Sequence, residues 1–167
     1  YAKRSPVSVA GKLHNQPFIM SQPYALDQLI KNGKPLLVMF EQKKCRDCDE
    51  MHNDIFKRKE TLQQVKKFNV VRIDMWGKDK IVSHSGKTMT MKEFAKQLDV
   101  KHVPSMVFFD GGKEVFRTEA YLKSFHVQSV MDYVSSGGYK TEPSLQRFLQ
   151  ARAEKLEAQG IHVDLMN

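Results

Sequence analysis

Cys45 and Cys48, in the run Cys45-Arg46-Asp47-Cys48, are the chain's two cysteines. Thiols at i and i+3 of a helical turn lie on one face with Cα atoms about 5 to 6 Å apart, a separation a disulfide accepts. The pair can therefore open and close with little backbone movement. A thiol at a helix N-terminus faces unpaired N–H groups and the positive end of the helix dipole, which stabilise its thiolate. Cys45 is the expected nucleophile. Cys48 falls on the stripe Cys48, Met51, His52, Ile55, Phe56, whose i, i+3, i+4, i+7, i+8 spacing predicts the buried face of a helix, so it is the expected resolving thiol. A bridge closing so short a loop constrains the unfolded chain little, which argues against a purely structural role. The chemistry open to the pair is thiol–disulfide exchange.

The neighbours bear on that chemistry. Lys43, Lys44 and Arg46 raise the local positive potential and favour the Cys45 thiolate, while Asp47 opposes them. His52 stands one turn after Cys48, and Cys45, Cys48 and His52 have the donor types to collect zinc or copper, although the sequence offers no evident fourth ligand. Trp76, the sole Trp, is expected to pack within a loop.

The elements that must hold these residues can be read from patterning. Leu36 to Phe40 is apolar throughout, as a central strand covered on both faces should be. The cysteine helix runs to about Arg58, with Thr61 to Phe68 extending it after a bend, and Val70 to Met75 is the next strand, giving a βαβ unit with parallel strands. Trp76 to Met89 is polar and turn-rich, an insertion in which Ile81 to Met91 forms a small hairpin. Thr90 and Glu93 make a capping box for a helix to Leu98. Met106 to Phe109 and Glu114 to Arg117 flank Asp110-Gly111-Gly112-Lys113, an antiparallel hairpin. Helices follow at Ser124 to Val134 and at Pro143 to Gln159, the second with Leu145, Phe148, Leu149 and Leu156 on one face. Earlier in the chain, residues 1–23 form an N-terminal arm in which Phe18-Ile19-Met20 is a short strand or packing segment, and Tyr24 to Lys31 is a helix stopped by Asn32-Gly33. Residues 24–167 form one domain, including the helix 143–159.

Strand, C-x-x-C, helix and a distant Val103-Pro104-Ser105 ahead of another apolar strand resemble the thioredoxin superfamily. KPLLVMFEQ before the cysteines and AYLKSFHVQSVMDYVSSGGYKTEPSLQRFLQARAEKLEAQGIHVDLM near the end resemble the SoxW-type periplasmic thioredoxins associated with bacterial sulfur oxidation, a likeness running from about Lys34 to the C-terminus. The resemblance implies an α/β thioredoxin fold: a mixed central sheet flanked by helices, here with an inserted loop after the second core strand and an extra C-terminal helix. It implies that Pro104 is a cis-proline lying against the dithiol, and that Val103 offers its backbone N–H and C=O to an extended segment of a partner. Many thioredoxins bury an Asp six residues before the first cysteine as a proton relay; that place is Met39 here, and Glu41, two residues on, either takes the role or is solvated. Lys44 occupies the place where thioredoxins commonly carry Trp. The order C-x-x-C-x-x-[LM]-H recurs in periplasmic disulfide isomerase domains, which implies a packed or thiol-tuning His52 in preference to a metal ligand.

Composition sets the outer bounds. A chain of 167 residues with 41% apolar content fits one domain with a substantial core. Its 27 basic and 19 acidic residues give +8, spread along the chain without an aromatic ladder or recognition motif, so a solvated basic surface is expected and not a nucleic-acid site, with an acidic protein partner left open. The apolar runs are too short to span a membrane, and the start at Tyr1 without an apolar leader fits a processed export precursor or a trimmed chain. The expectation is a monomeric thiol–disulfide oxidoreductase without cofactor or metal, reducing partner disulfides in the periplasm with electrons from a membrane thiol donor. The alternatives are a disulfide isomerase or oxidase, or a copper or zinc carrier.

Overall fold

The computed structural model describes residues 13–163, so residues 1–12 of the expected arm lie outside the described part. The apolar run expected as a central strand is β1, Leu36–Glu41, and all of its residues are buried. It has a neighbour on each side. β2 (Asn69–Asp74) runs parallel to it, from Leu36 against Asn69 to Glu41 against Asp74. β5 (Ser105–Asp110), the fifth strand in chain order, runs antiparallel, with Phe40 against Ser105. β6 (Lys113–Thr118) returns along β5 through Gly111 and Gly112, whose φ values of 63° and 82° are the left-handed turn that a Gly-Gly pair supplies without steric cost. Among the described residues the sheet order is β2-β1-β5-β6. The expected insertion carries its own antiparallel pair, β3 (Lys80–Val82) with β4 (Thr88–Thr90).

Alternation along β1 divides the core in two. Leu37 and Met39 face a cluster with Met51, Ile55, Phe56, Phe108 and Val130. Leu36, Val38 and Phe40 face the other way, against Leu26, Ile73, Phe94 and Phe109. By the same period Glu41 follows Met39 onto the first face.

The helices follow their local signals with shifts at the ends. α1 (Leu26–Leu29) is shorter than expected and passes into a 3₁₀ turn, Ile30–Asn32, stopped at Gly33 with φ 86°. α2 (Arg46–Asn53) ends well before Arg58, because Asp54 takes φ −120° and ψ −68°. Asn and Asp compete with the helix for backbone hydrogen bonds, and a 3₁₀ turn at Ile55–Lys57 then leads to α3 (Lys59–Val65). The apolar stripe survives the break, with Cys48, Met51, His52, Ile55 and Phe56 all buried. α4 (Met91–Gln97) opens on the expected capping box: Glu93 N–H donates to Thr90 Oγ1 at 3.1 Å and Thr90 N–H to Glu93 Oε1 at 2.9 Å.

α5 (Ser124–Ser135) is followed by an unforeseen short helix, α6 (Gly138–Thr141), and then by α7 (Leu145–Ala158), whose N-cap is Ser144. A Cβ at Gly138 would stand 2.7 Å from Phe148 Cε1, so α6 and α7 approach too closely for a side chain there. α7 docks through Leu149, which is buried, and through Arg152, whose Nη1 donates to Ser129 Oγ at 3.1 Å while its guanidinium lies over the Phe125 ring. The residues between α5 and α7 are tied to the sheet by Tyr139, whose hydroxyl donates to Asp110 Oδ2 at 2.7 Å.

Burial, with the Asp110 hydrogen bond and charge, pushes the Tyr139 phenol from 10.0 up to about 12. Its folded value is raised, so the stabilisation is fully present below pH 10 and is lost as pH rises toward 12. At pH near 8 the wild type should be about 1 kcal/mol more stable than Tyr139→Phe, and urea midpoints should show that gap closing between pH 10 and 12. A gap constant across this window would show that the Tyr139–Asp110 bond does not titrate as described.

Candidate active site

The parallel β1 and β2 end at the same edge of the sheet, and the antiparallel β5 begins there. The loop from Gln42, the turn after β2 and the Val103-Pro104 segment are thereby brought to one edge. Lys44 turns the chain with φ 56°, a left-handed conformation uncommon for a residue with a side chain, and Cys45 follows as the N-cap of α2.

Cys45 and Cys48 are joined in a disulfide with Cα atoms 5.2 Å apart, within the separation expected for i, i+3 thiols. Cys48 N–H donates to Cys45 Sγ at 3.1 Å, so the sulfur already occupies the capping position where an anion is favoured. Cys45 is 7% exposed and Cys48 1%, so both residues are buried, the second more completely. Lys43, Lys44, Arg46 and Asp47 are exposed around it.

Beneath the dithiol lies a buried polar pair. Glu41 and His52 are both 0% exposed, and His52 Nε2 is 2.7 Å from Glu41 Oε2. The solvated reading of Glu41 is thus corrected: strand alternation carries it under α2, and Met39 at the other candidate place is plain core. His52 is held from two further sides by residues of the arm. Gln16 Nε2 is 3.3 Å from His52 Nδ1, and the His14 ring stacks on the His52 ring with centroids 4.6 Å apart and planes 9° apart. His14 Nε2 in turn meets Asp49 Oδ1 of α2. Glu41 Oε1 has no hydrogen-bond partner among the described residues. Cys48 and His52 are i and i+4 on one face of α2, so the contact with Glu41 is made one turn below Cys48 on the helix.

These contacts also bear on the metal alternative. Both ring nitrogens of His52 are engaged, one by Glu41 and one by Gln16, and among the described residues no cluster of three His, Cys, Asp or Glu side chains has the geometry to hold a metal ion. Cys45, Cys48 and His52 are not a ready-made ligand set.

The Val103–Pro104 peptide bond is cis, as the resemblance implied, and Pro104 is buried. Among the described residues neither the N–H nor the C=O of Val103 has a backbone partner, while its side chain packs on the second core cluster. A second cis bond, Gln22–Pro23, was not foreseen. Sequence reasoning also missed His14 and Gln16, which lie in a segment without periodicity, and it misplaced Trp76. Expected to pack, Trp76 is 61% exposed.

A family model described as a thioredoxin-like domain matches residues 22–135. The chain belongs to that thioredoxin-like domain family. Its architecture is the thioredoxin fold, a mixed sheet flanked by helices with extra C-terminal helices, and it carries the C-x-x-C-spaced pair of a thioredoxin-like thiol–disulfide oxidoreductase fold. A thioredoxin-fold protein from Helicobacter pylori matches with TM-score 0.64 at 20% identity, over 80% of this chain and 95% of that one. Thioredoxin O2 from Arabidopsis thaliana in its oxidized state matches with TM-score 0.48 at 16% identity, over 66% and 83%. Mitochondrial thioredoxin 3 from Saccharomyces cerevisiae matches with TM-score 0.41 at 20% identity, over 55% and 72%. No curated protein sequence matches significantly. Among the described residues no helix is long and apolar enough to cross a membrane.

If Cys45 is the attacking thiol, brief alkylation of the reduced protein at pH near 7 should label it well before Cys48, as read by peptide mapping. Preferential labelling of Cys48 would reverse the assignment.

Proposed function

We propose that this protein is a SoxW-type periplasmic thioredoxin that reduces disulfides of partner proteins in a sulfur-oxidation system. The observation that supports this most is the Cys45–Cys48 pair at the start of α2, with Cys45 Sγ accepting an N–H and the cis-Pro104 segment at the same sheet edge. In the reduced protein the Cys45 thiolate attacks one sulfur of the partner disulfide, forming a mixed disulfide and releasing the other sulfur as a thiolate. Cys48 then attacks Cys45 Sγ, so that the Cys45–Cys48 bond forms and the partner's second thiolate leaves. Two electrons have passed to the partner. For the second step Cys48 must lose its proton inside the protein, and the Glu41–His52 pair is the acceptor. Val103 pairs its free backbone groups with the partner's extended segment. A membrane thiol donor reduces the Cys45–Cys48 bridge and restores the dithiol. The protein works as a monomer, and no cofactor enters the cycle.

Two measurements test the reading. Cys48→Ser should accumulate mixed disulfides with periplasmic proteins on nonreducing gels where Cys45→Ser does not, and the couple should have a potential near the thioredoxin value of about −270 mV. A potential closer to about −120 to −180 mV would favour the isomerase or oxidase alternative, and equal adducts from both variants would overturn the order of attack.

Glu41→Gln keeps the shape of the side chain and removes its acid–base capacity. Stopped-flow resolution of a preformed Cys45 mixed disulfide at pH near 7 should slow about a hundredfold, with attack by Cys45 much less affected. Resolution at the wild-type rate would remove the pair from the mechanism.

A further inference from the structure

The structure assigns a second recognition element to the dithiol edge. We infer that Trp76 and the lysine-lined groove beside it form a docking platform for an acidic extended segment next to the disulfide of a partner protein. This deepens the oxidoreductase reading and rests on it for the identity of the partner's reacting group.

Trp76 follows β2, and its turn is held on all sides. Asp74 Oδ1 accepts Trp76 N–H at 3.0 Å, Asp74 O accepts Gly77 N–H at 3.0 Å, and Gly77 O accepts Lys92 N–H at 3.0 Å. Gly77 allows this closure, since a Cβ there would stand 3.0 Å from Asp74 Cβ and 3.2 Å from Met91 Cβ. The indole itself is fixed: its Nε1–H donates to Gln42 Oε1 at 2.8 Å, three residues before Cys45. An indole 61% exposed yet oriented by a hydrogen bond is the arrangement of a contact residue, since its direction is set while most of its surface is open to a partner.

The groove beside it has a volume of about 260 Å³ and runs from Trp76 along α4 toward the segment leading to Val103. Its floor is Met75, Ala95 and Val100, and its rim carries Lys92, Lys96, Lys101 and Asp99. Asp99 pairs with Lys101 at 3.8 Å. Lys92 and Lys96 have no carboxylate partner among the described residues, and the Lys92 ammonium lies 5.9 Å from the Trp76 ring centroid. The groove thus presents two such cations, Lys92 and Lys96, beside an apolar floor, which selects carboxylates flanking an apolar side chain.

The test uses two synthetic peptides, each with one cysteine as its mixed disulfide with 2-mercaptoethanol, alike except that glutamates or lysines flank the cysteine. Bis(2-hydroxyethyl) disulfide is the neutral small reference. The reduced protein should react about tenfold faster with the glutamate peptide than with the lysine peptide. Trp76→Ala, and separately Lys92→Glu with Lys96→Glu, should each lower the ratio of glutamate-peptide to reference rate constants about tenfold. A cysteine-free glutamate peptide should also shift the emission of Trp76, the sole Trp. Equal rates for the two peptides, or an unchanged ratio in the variants, would overturn the platform and leave the oxidoreductase reading standing. Failure to react with any of the three disulfides would instead overturn that reading, while the emission titration would still decide whether the platform binds.

Discussion

A carboxylic acid at the end of a fully buried strand has no water to solvate it, so its proton and its hydrogen bonds must be provided for inside the protein. Glu41 is that residue, 0% exposed at the last position of β1. Its one described partner is His52, equally buried, and this contact ties the central strand to the helix that opens with the dithiol. Removing one partner of such a buried hydrogen bond costs about 1–3 kcal/mol, because it leaves the other unsatisfied. The placement of α2 over the sheet is constrained accordingly. His52 must lie above Glu41, Cys48 then lies one turn earlier on the same face, and Cys45 falls at the cap.

The segment carrying His14 and Gln16 completes this constraint from outside. Its Ile19 is buried and bridges to Val70 of the edge strand β2, and Met20 N–H donates to Val70 O at 2.9 Å. Anchored there, the segment lays an imidazole flat on His52 and an amide against its Nδ1. The stacked ring closes the polar pair off from solvent on that side. The buried pair is therefore enclosed by strand, helix and arm.

What the sequence made legible was local. The hairpin at Gly111-Gly112, the capping box at Thr90 and Glu93 and the stripe on α2 each depend on residues within a few positions of one another, and each stands in the structure as read. The break at Asp54 was missed because the apolar stripe continues across it while the backbone does not. Glu41 was ambiguous because its fate depends on a helix crossing the sheet, information that neither the strand nor the helix holds alone. His14 and Gln16 were invisible because they reach His52 across 38 and 36 positions with no periodic pattern to mark them. Trp76 was misread because a lone aromatic in a polar turn says nothing of its direction; the hydrogen bond from its indole to Gln42 turns it outward.

The two sulfurs thus meet opposite surroundings although they belong to one helical turn. Cys45, at the N-cap, is flanked by the exposed Lys43, Lys44 and Arg46, whereas Cys48 lies one turn before the buried His52 on the covered face of α2. Both residues are buried, Cys45 at 7% exposure and Cys48 at 1%. The N–H bond from Cys48 to Cys45 Sγ is present while the bridge is closed, so the cap that this sulfur provides is formed before the bridge opens. Little reorganisation is then required of the backbone, which fits a Cα separation of 5.2 Å that the helical turn itself imposes.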